Sequence, residues 1–121
     1  VRVAVCNGIE DKRRAHMYKL VFFVPESHLE VVKRLVFEAG AGRVGHYDQC
    51  CWQVLGDGQF RPLPGSSPFQ GKENLLEQVR EYRVELVCQD ELIRDAIHAL
   101  LEAHPYEEPA YDVLQLVKIP L

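Results

Sequence analysis

Tyr18-Lys19-Leu20-Val21-Phe22-Phe23-Val24-Pro25 is the stretch on which the fold turns. Seven residues, nearly all apolar and β-favouring, run into a proline that closes them, as in a central strand buried on both faces. Beyond Pro25 the periodicity changes from strand to helix. Ser27 with Glu30 three residues later has the spacing of a capping box. Leu29, Val32, Leu35, Val36 and Ala39 then fall on one helical stripe, and Gly40 supplies the stop.

Further along, a second strand is expected from Val44 to Leu55, with Gly56-Asp57-Gly58 as a hairpin turn returning through Gln59-Phe60-Arg61. Residues 62–72 hold three prolines, two glycines and two serines and read as a surface loop. Val79 to Cys88 alternates cleanly, with Tyr82, Val84, Leu86 and Cys88 on one side. Asp90 is placed to cap a second helix whose stripe is Ile93, Ala96, Ile97 and Leu100, and Pro105 ends it. The last strand is expected over Ala110 to Lys118.

The order β-α-β-β-α-β predicts an α+β, ferredoxin-like sandwich. Two helices cover one face of an antiparallel sheet, with an extra hairpin and loop between the second and third main strands. Residues 17–121 form that domain. Residues 1–16 lack a sustained apolar period and read as an N-terminal appendage. The face opposite the helices would carry Val21, Phe23 and Val87 beside Lys19, Arg83 and Glu85. An apolar patch of that kind calls for a cover, and another subunit is the simplest one, so a homo-oligomer is expected.

Composition narrows the function classes. The 121 residues suit one domain, and 47% hydrophobic residues suffice for a core without staples. No apolar run approaches the roughly 20 residues of a membrane-spanning helix. No signal-peptide pattern is evident, which makes the cytoplasm the expected compartment. A net charge of −4 and a single short basic run, Lys12-Arg13-Arg14, argue against nucleic acid as a partner. Cys6, Cys50, Cys51 and Cys88 form no CxxC pair and are expected to be reduced.

Candidate chemistry is sparse. Gly40-Ala41-Gly42-Arg43-Val44-Gly45 matches G-x-G-x-x-G on paper, but it follows a helix and precedes a strand, so the wrong end of the helix dipole faces it. His104-Pro105-Tyr106-Glu107-Glu108-Pro109 fixes an imidazole, a phenol and two carboxylates between prolines. That is either a rigid binding loop or a stiff surface turn. Gly45-His46-Tyr47-Asp48-Gln49-Cys50 gathers zinc-type ligands at a strand entrance, at the opposite end of the sheet from His104. The two groups meet only across a subunit interface. His28 lies at the His104 end. His98 is mid-helix and reads as structural.

Several separated motifs resemble the YqfO (Nif-three-like) insert domain: the Tyr18–Pro25 stretch, Phe37-Glu38-Ala39-Gly40-Ala41-Gly42, Gly45-His46-Tyr47-Asp48, Gly56-Asp57-Gly58-Gln59-Phe60-Arg61-Pro62, Gly65-Ser66-Ser67-Pro68-Phe69, and His104 through Asp112. The resemblance covers nearly everything from Met17 to Leu116. In longer relatives this domain is inserted between two α/β halves bearing a two-metal site, and it is similar to the PII and CutA proteins, which are ferredoxin-like trimers. The resemblance implies a stand-alone insert domain, a trimer in preference to other assemblies, and no transfer of a hydrolase or GTP cyclohydrolase activity. The chain departs from the family pattern at Lys72-Glu73-Asn74, where a glycine is expected, and at Cys50-Cys51-Trp52.

Binding is therefore favoured over catalysis. The expected role is an oligomeric binding or regulatory module of PII/CutA type, holding a small molecule or a divalent cation near a subunit interface. The ligand-binding candidates are His46, Asp48, Cys50, His104, Tyr106, Glu107 and Glu108. For a metal ion, the only cofactor contemplated, they are His28, His46, His104 and Glu107. Two alternatives stand beside it: a metal-dependent enzyme using interface His and carboxylate groups, and a purely structural or protein-interaction module. No catalytic residue is assigned.

Overall fold

The computed structural model describes residues 16–121. The expected appendage falls outside the described residues except for His16. The elements are β1 (Met17–Pro25), α1 (Leu29–Glu38), β2 (Trp52–Phe60), β3 (Glu77–Gln89), α2 (Ile93–Ala103) and β4 (Tyr111–Leu116). A single turn of 3-10 helix leads into each α-helix, over Glu26–His28 and Asp90–Leu92. The sheet runs β2-β3-β1-β4 and every pairing is antiparallel. This is the ferredoxin-like arrangement that the sequence predicts.

Alternation along β1 explains the layering. Leu20, Phe22 and Val24 point to one side and are fully buried with Val84 and Leu86 of β3. Val32 and Val36 of α1 and Ile93, Ala96 and Leu100 of α2 close over them. Each buried aliphatic or aromatic side chain of this kind is worth about 1.5–3 kcal/mol relative to exposure. Gly40 ends α1 with φ +108, a conformation that L side chains rarely adopt.

Several boundaries differ from the sequence reading. Ser27 forms no capping box: its hydroxyl lies 2.8 Å from the neighbouring His28 Nδ1, and neither α1 nor α2 has a side-chain cap. Residues 43–51 are not strand. They form a loop, with Val44 bridging back to Tyr47 and the Cys50 N–H donating to the Gly42 carbonyl. The second strand begins only at Trp52 and passes straight through Gly56-Asp57-Gly58, where a hairpin was expected. The long β3 is the reason. It offers Glu81, Arg80 and Val79 as ladder partners for those three residues, and the Arg80 guanidinium meets the Asp57 carboxylate at 2.8 Å. The last strand is shorter than expected, over Tyr111–Leu116. Within the Lys72-Glu73-Asn74 departure, Asn74 has φ +63, the left-handed conformation that asparagine tolerates best among non-glycine residues.

β3 outruns its neighbour. Its pairing with β1 ends at Glu81, opposite Pro25, whereas Glu77–Arg80 pair only with β2 among the described residues. The two strands leave the sheet there as a ribbon.

The face away from the helices is apolar, but not where the sequence reading put the exposure. Val21 is only 1% exposed, and Phe23 is half-buried with the Arg83 guanidinium 5.8 Å from its ring centre. The exposed apolar surface is contributed by the flanking strands: Trp52 (61%), Val54, Leu114 (51%) and Leu116. Lys19, Arg83 and Glu85 form ion pairs across it.

Candidate functional site

The chain leaving α2 is fixed to the sheet by His104. Its backbone N–H closes the helix on the Leu100 carbonyl, and its ring is buried at 6% exposure. Nδ1 accepts the Tyr106 N–H at 3.2 Å, so Nε2 carries the proton and donates to the Phe23 carbonyl at 2.6 Å. Burial holds the ring's pKa below the ordinary histidine value, opposed by the bond to the Phe23 carbonyl and assisted by nearby His28. The imidazole is thus neutral at pH 7, with both nitrogens committed within the chain.

His104 in turn places Tyr106, whose ring lies 4.7 Å from the imidazole, centre to centre. The Tyr106 hydroxyl donates to Glu81 Oε2 at 3.2 Å. Burial raises the pKa of both groups, and the Glu81 charge and hydrogen bond push the phenol further up. Glu81 comes from β3, on the face away from the helices, opposite Gly56 and Pro25. Its carboxylate lies across β2 so closely that a Cβ on Gly58 would collide with Oε1. The second glycine of the supposed hairpin therefore serves to seat this carboxylate.

Three phenylalanines complete the enclosure. Phe60 ends β2 and Phe69 comes from the loop after it, their rings 6.5 and 6.2 Å from Tyr106, and Phe23 comes from β1. The loop is fastened across the opening by the Ser67 N–H, which donates to the Glu107 carboxylate at 2.9 Å. The result is a cleft of about 270 Å³, with Glu81, Glu107 and Glu108 as its charged lining.

The ligand candidates therefore divide. Tyr106, Glu107 and Glu108 line the cleft, and His104 supports it from behind. His46, Asp48 and Cys50 lie in the loop beside Gly42, which bonds to Val87 at the far end of the sheet. They do not join the cleft. His46 and Asp48 are exposed there, and the Cys50 thiol points to the Asp48 carbonyl. Nor do His28, His46, His104 and Glu107 form a metal centre within one chain. Among the described residues no group of three or more His, Cys, Asp or Glu side chains is placed to hold a metal ion. His28 instead meets Phe69 edge to face at 5.6 Å.

Sequence reasoning missed Glu81, Phe23, Phe60 and Phe69 as site residues. Glu81 reads as one more polar position in an alternating strand. Its only local signal is the pair of glycines at 56 and 58, which are unusual inside a paired strand.

No family model matches the chain. It is 45% identical over 106 residues to a GTP cyclohydrolase 1 type 2 homolog of Mycobacterium leprae, covering 88% of this chain and 28% of that protein. The counterpart from Halalkalibacterium halodurans is 41% identical over 100 residues, covering 83% and 27%. Among solved structures, a Bacillus cereus protein related to NIF3 superposes with a TM-score of 0.75 at 40% identity, over 87% of this chain and 27% of that one. CutA from Xylella fastidiosa gives 0.61 at 21% identity, over 87% and 86%, a likeness of fold alone. The chain spans under a third of the length of the curated relatives it matches.

Proposed function

This chain is kin to one segment of the YqfO/NIF3 proteins and has the CutA fold, and on that premise we propose that residues 17–121 act as a non-enzymatic, oligomeric binding module. Copies associate through the sheet face away from the helices, and each holds a small molecule in the cleft at the end of that face. The relatives' name, GTP cyclohydrolase 1 type 2 homolog, describes chains of which residues 17–121 match under a third, and no such activity is part of this proposal.

One observation carries the reading: the cleft and the open face are continuous. Phe23 and Glu81 project from the same side of the sheet as Val54, Trp52 and Leu114 and also line the cleft. A neighbour covering Trp52 and Leu114 therefore brings its edge up to the cleft. Covering a large exposed aromatic and its aliphatic neighbours is the favourable term for association.

Native mass spectrometry of the freshly purified full chain tests both halves. The expected result is a homo-oligomer, with retained small-molecule mass, that Trp52→Asp combined with Leu114→Asp converts to monomer. A wild-type chain that is monomeric at micromolar concentration would refute the assembly.

A further inference from the structure

The lining of the cleft is selective in kind. Three rings, Phe60, Phe69 and Tyr106, stand around one space, and their π faces attract positive charge. Three carboxylates, Glu81, Glu107 and Glu108, share that lining, and neither lysine nor arginine contributes to it. Two of the three are already positioned: Glu107 is held by the Ser67 N–H, and Glu81 by the Tyr106 hydroxyl. Phe23, the fourth ring of the lining, is already matched with a cation outside it, the Arg83 guanidinium that pairs with Glu85.

An anion entering this space would meet carboxylates without a cationic partner. A neutral apolar molecule would strip water from Glu81 and return nothing for it. For a bare metal ion the three carboxylates are not gathered closely enough, since no group of three or more His, Cys, Asp or Glu side chains among the described residues is placed to hold one. What remains is a positive charge carried on apolar atoms. At about 270 Å³ the cleft is smaller than the roughly 300–1,000 Å³ typical of drug-sized ligands.

We infer that the cleft recognises a small organic cation, a protonated or quaternary amine on an apolar body, with its charge against Glu81 and its body among Phe60, Phe69 and Tyr106. This rests on the reading of the cleft as a small-molecule site and specifies the ligand class.

The test is binding to the full chain, followed by calorimetry and by the amide resonances of residues 58–70 and 104–110. The probes are choline and benzyltrimethylammonium as cations, 3,3-dimethylbutanol as the uncharged isostere of choline, and benzenesulfonate as an anion. The cations should bind, choline about tenfold more tightly than its isostere. Glu81→Gln should remove that advantage and leave the alcohol's weak binding unchanged. Phe69→Leu, which keeps an apolar wall but removes a ring, should reduce cation affinity selectively and serves as the second variant if Glu81→Gln misfolds. Equal or tighter binding of the alcohol or the sulfonate would overturn the charge preference while the small-molecule site stands. A cleft that responds to none of the four probes would overturn the site itself.

Discussion

Replacing His104 with leucine should both loosen the cleft and alter how stability depends on pH. The substitution keeps an apolar side chain at a buried position but leaves the Phe23 carbonyl and the Tyr106 N–H without their partners. Each orphaned, partly buried group costs about 1–3 kcal/mol, which gives roughly 2–6 kcal/mol for the pair. For a domain of this size that corresponds to a fall in melting temperature of roughly 8–24 °C. The pH dependence has a definite sign. In the folded chain the ring's pKa lies below its ordinary value, so protons bind the unfolded chain first as pH falls. Stability from neutral His104 is complete above the unfolded pKa of about 6.5 and is lost as pH drops from there toward the folded pKa. The leucine variant lacks this loss. Glu81, whose pKa is raised chiefly by burial and so acts in the opposite direction, is present in both proteins. Urea denaturation of both chains at pH 7.5 and at pH 5.0 measures the gap. It should be widest at pH 7.5 and narrow at pH 5.0. A gap that is constant across this range, or absent at pH 7.5, would refute the assignment of a neutral, doubly bonded imidazole.

Two other substitutions or treatments probe the neighbouring chemistry. Gly58→Ala should force the Glu81 carboxylate off its seat and break its bond to Tyr106. The gain of about 0.5–1 kcal/mol from replacing a strand glycine offsets much of that loss, so the readout is the Tyr106 phenol, whose raised pKa should move down toward 10 in a spectroscopic titration. An unchanged titration would mean that the carboxylate had never depended on Gly58. The Cys88 thiol is buried, which together with Glu91 pushes its pKa up to about 11. Iodoacetamide at pH 8 should therefore modify Cys50 well before Cys88 in the folded chain, and Cys88 should react only after denaturation. Comparable rates at the two would contradict the burial of Cys88 in the core.

The fold was legible wherever one periodicity governed a whole element. β1, the stripes of both helices and the alternation of Tyr82 through Cys88 needed only local patterns, and the helical stop at Gly40 needed only local chemistry. The region from Val44 to Phe60 was not legible, because two local signals pointed the wrong way. Val44 and Cys50-Cys51 suit a strand by composition, yet the glycine-rich entry folds them into a loop. Asp57-Gly58 is a strong turn signal, yet a 13-residue partner strand overrides it with a continuous ladder. The site shows the same division. The rigidity of residues 104–109 could be read from two prolines. That Glu81 and Phe69 converge on Tyr106 depends on strand register and loop docking, which no short spacing encodes. His104 was selected for its imidazole as a ligand, but the imidazole is occupied in holding the loop.

The ribbon formed by residues 57–60 and 77–80 has a consequence for motion. A pair of strands without a third neighbour is marginal by itself, and here it is joined to the sheet only at its root. Amide protons should be well protected from solvent exchange across the middle of β1 and the stretch from Tyr82 to Cys88, with protection fading toward Glu77. Phe60 is carried at the fraying end of that gradient and Glu81 at its firm base. One wall of the cleft can therefore yield to an incoming molecule while the charged group opposite holds its position.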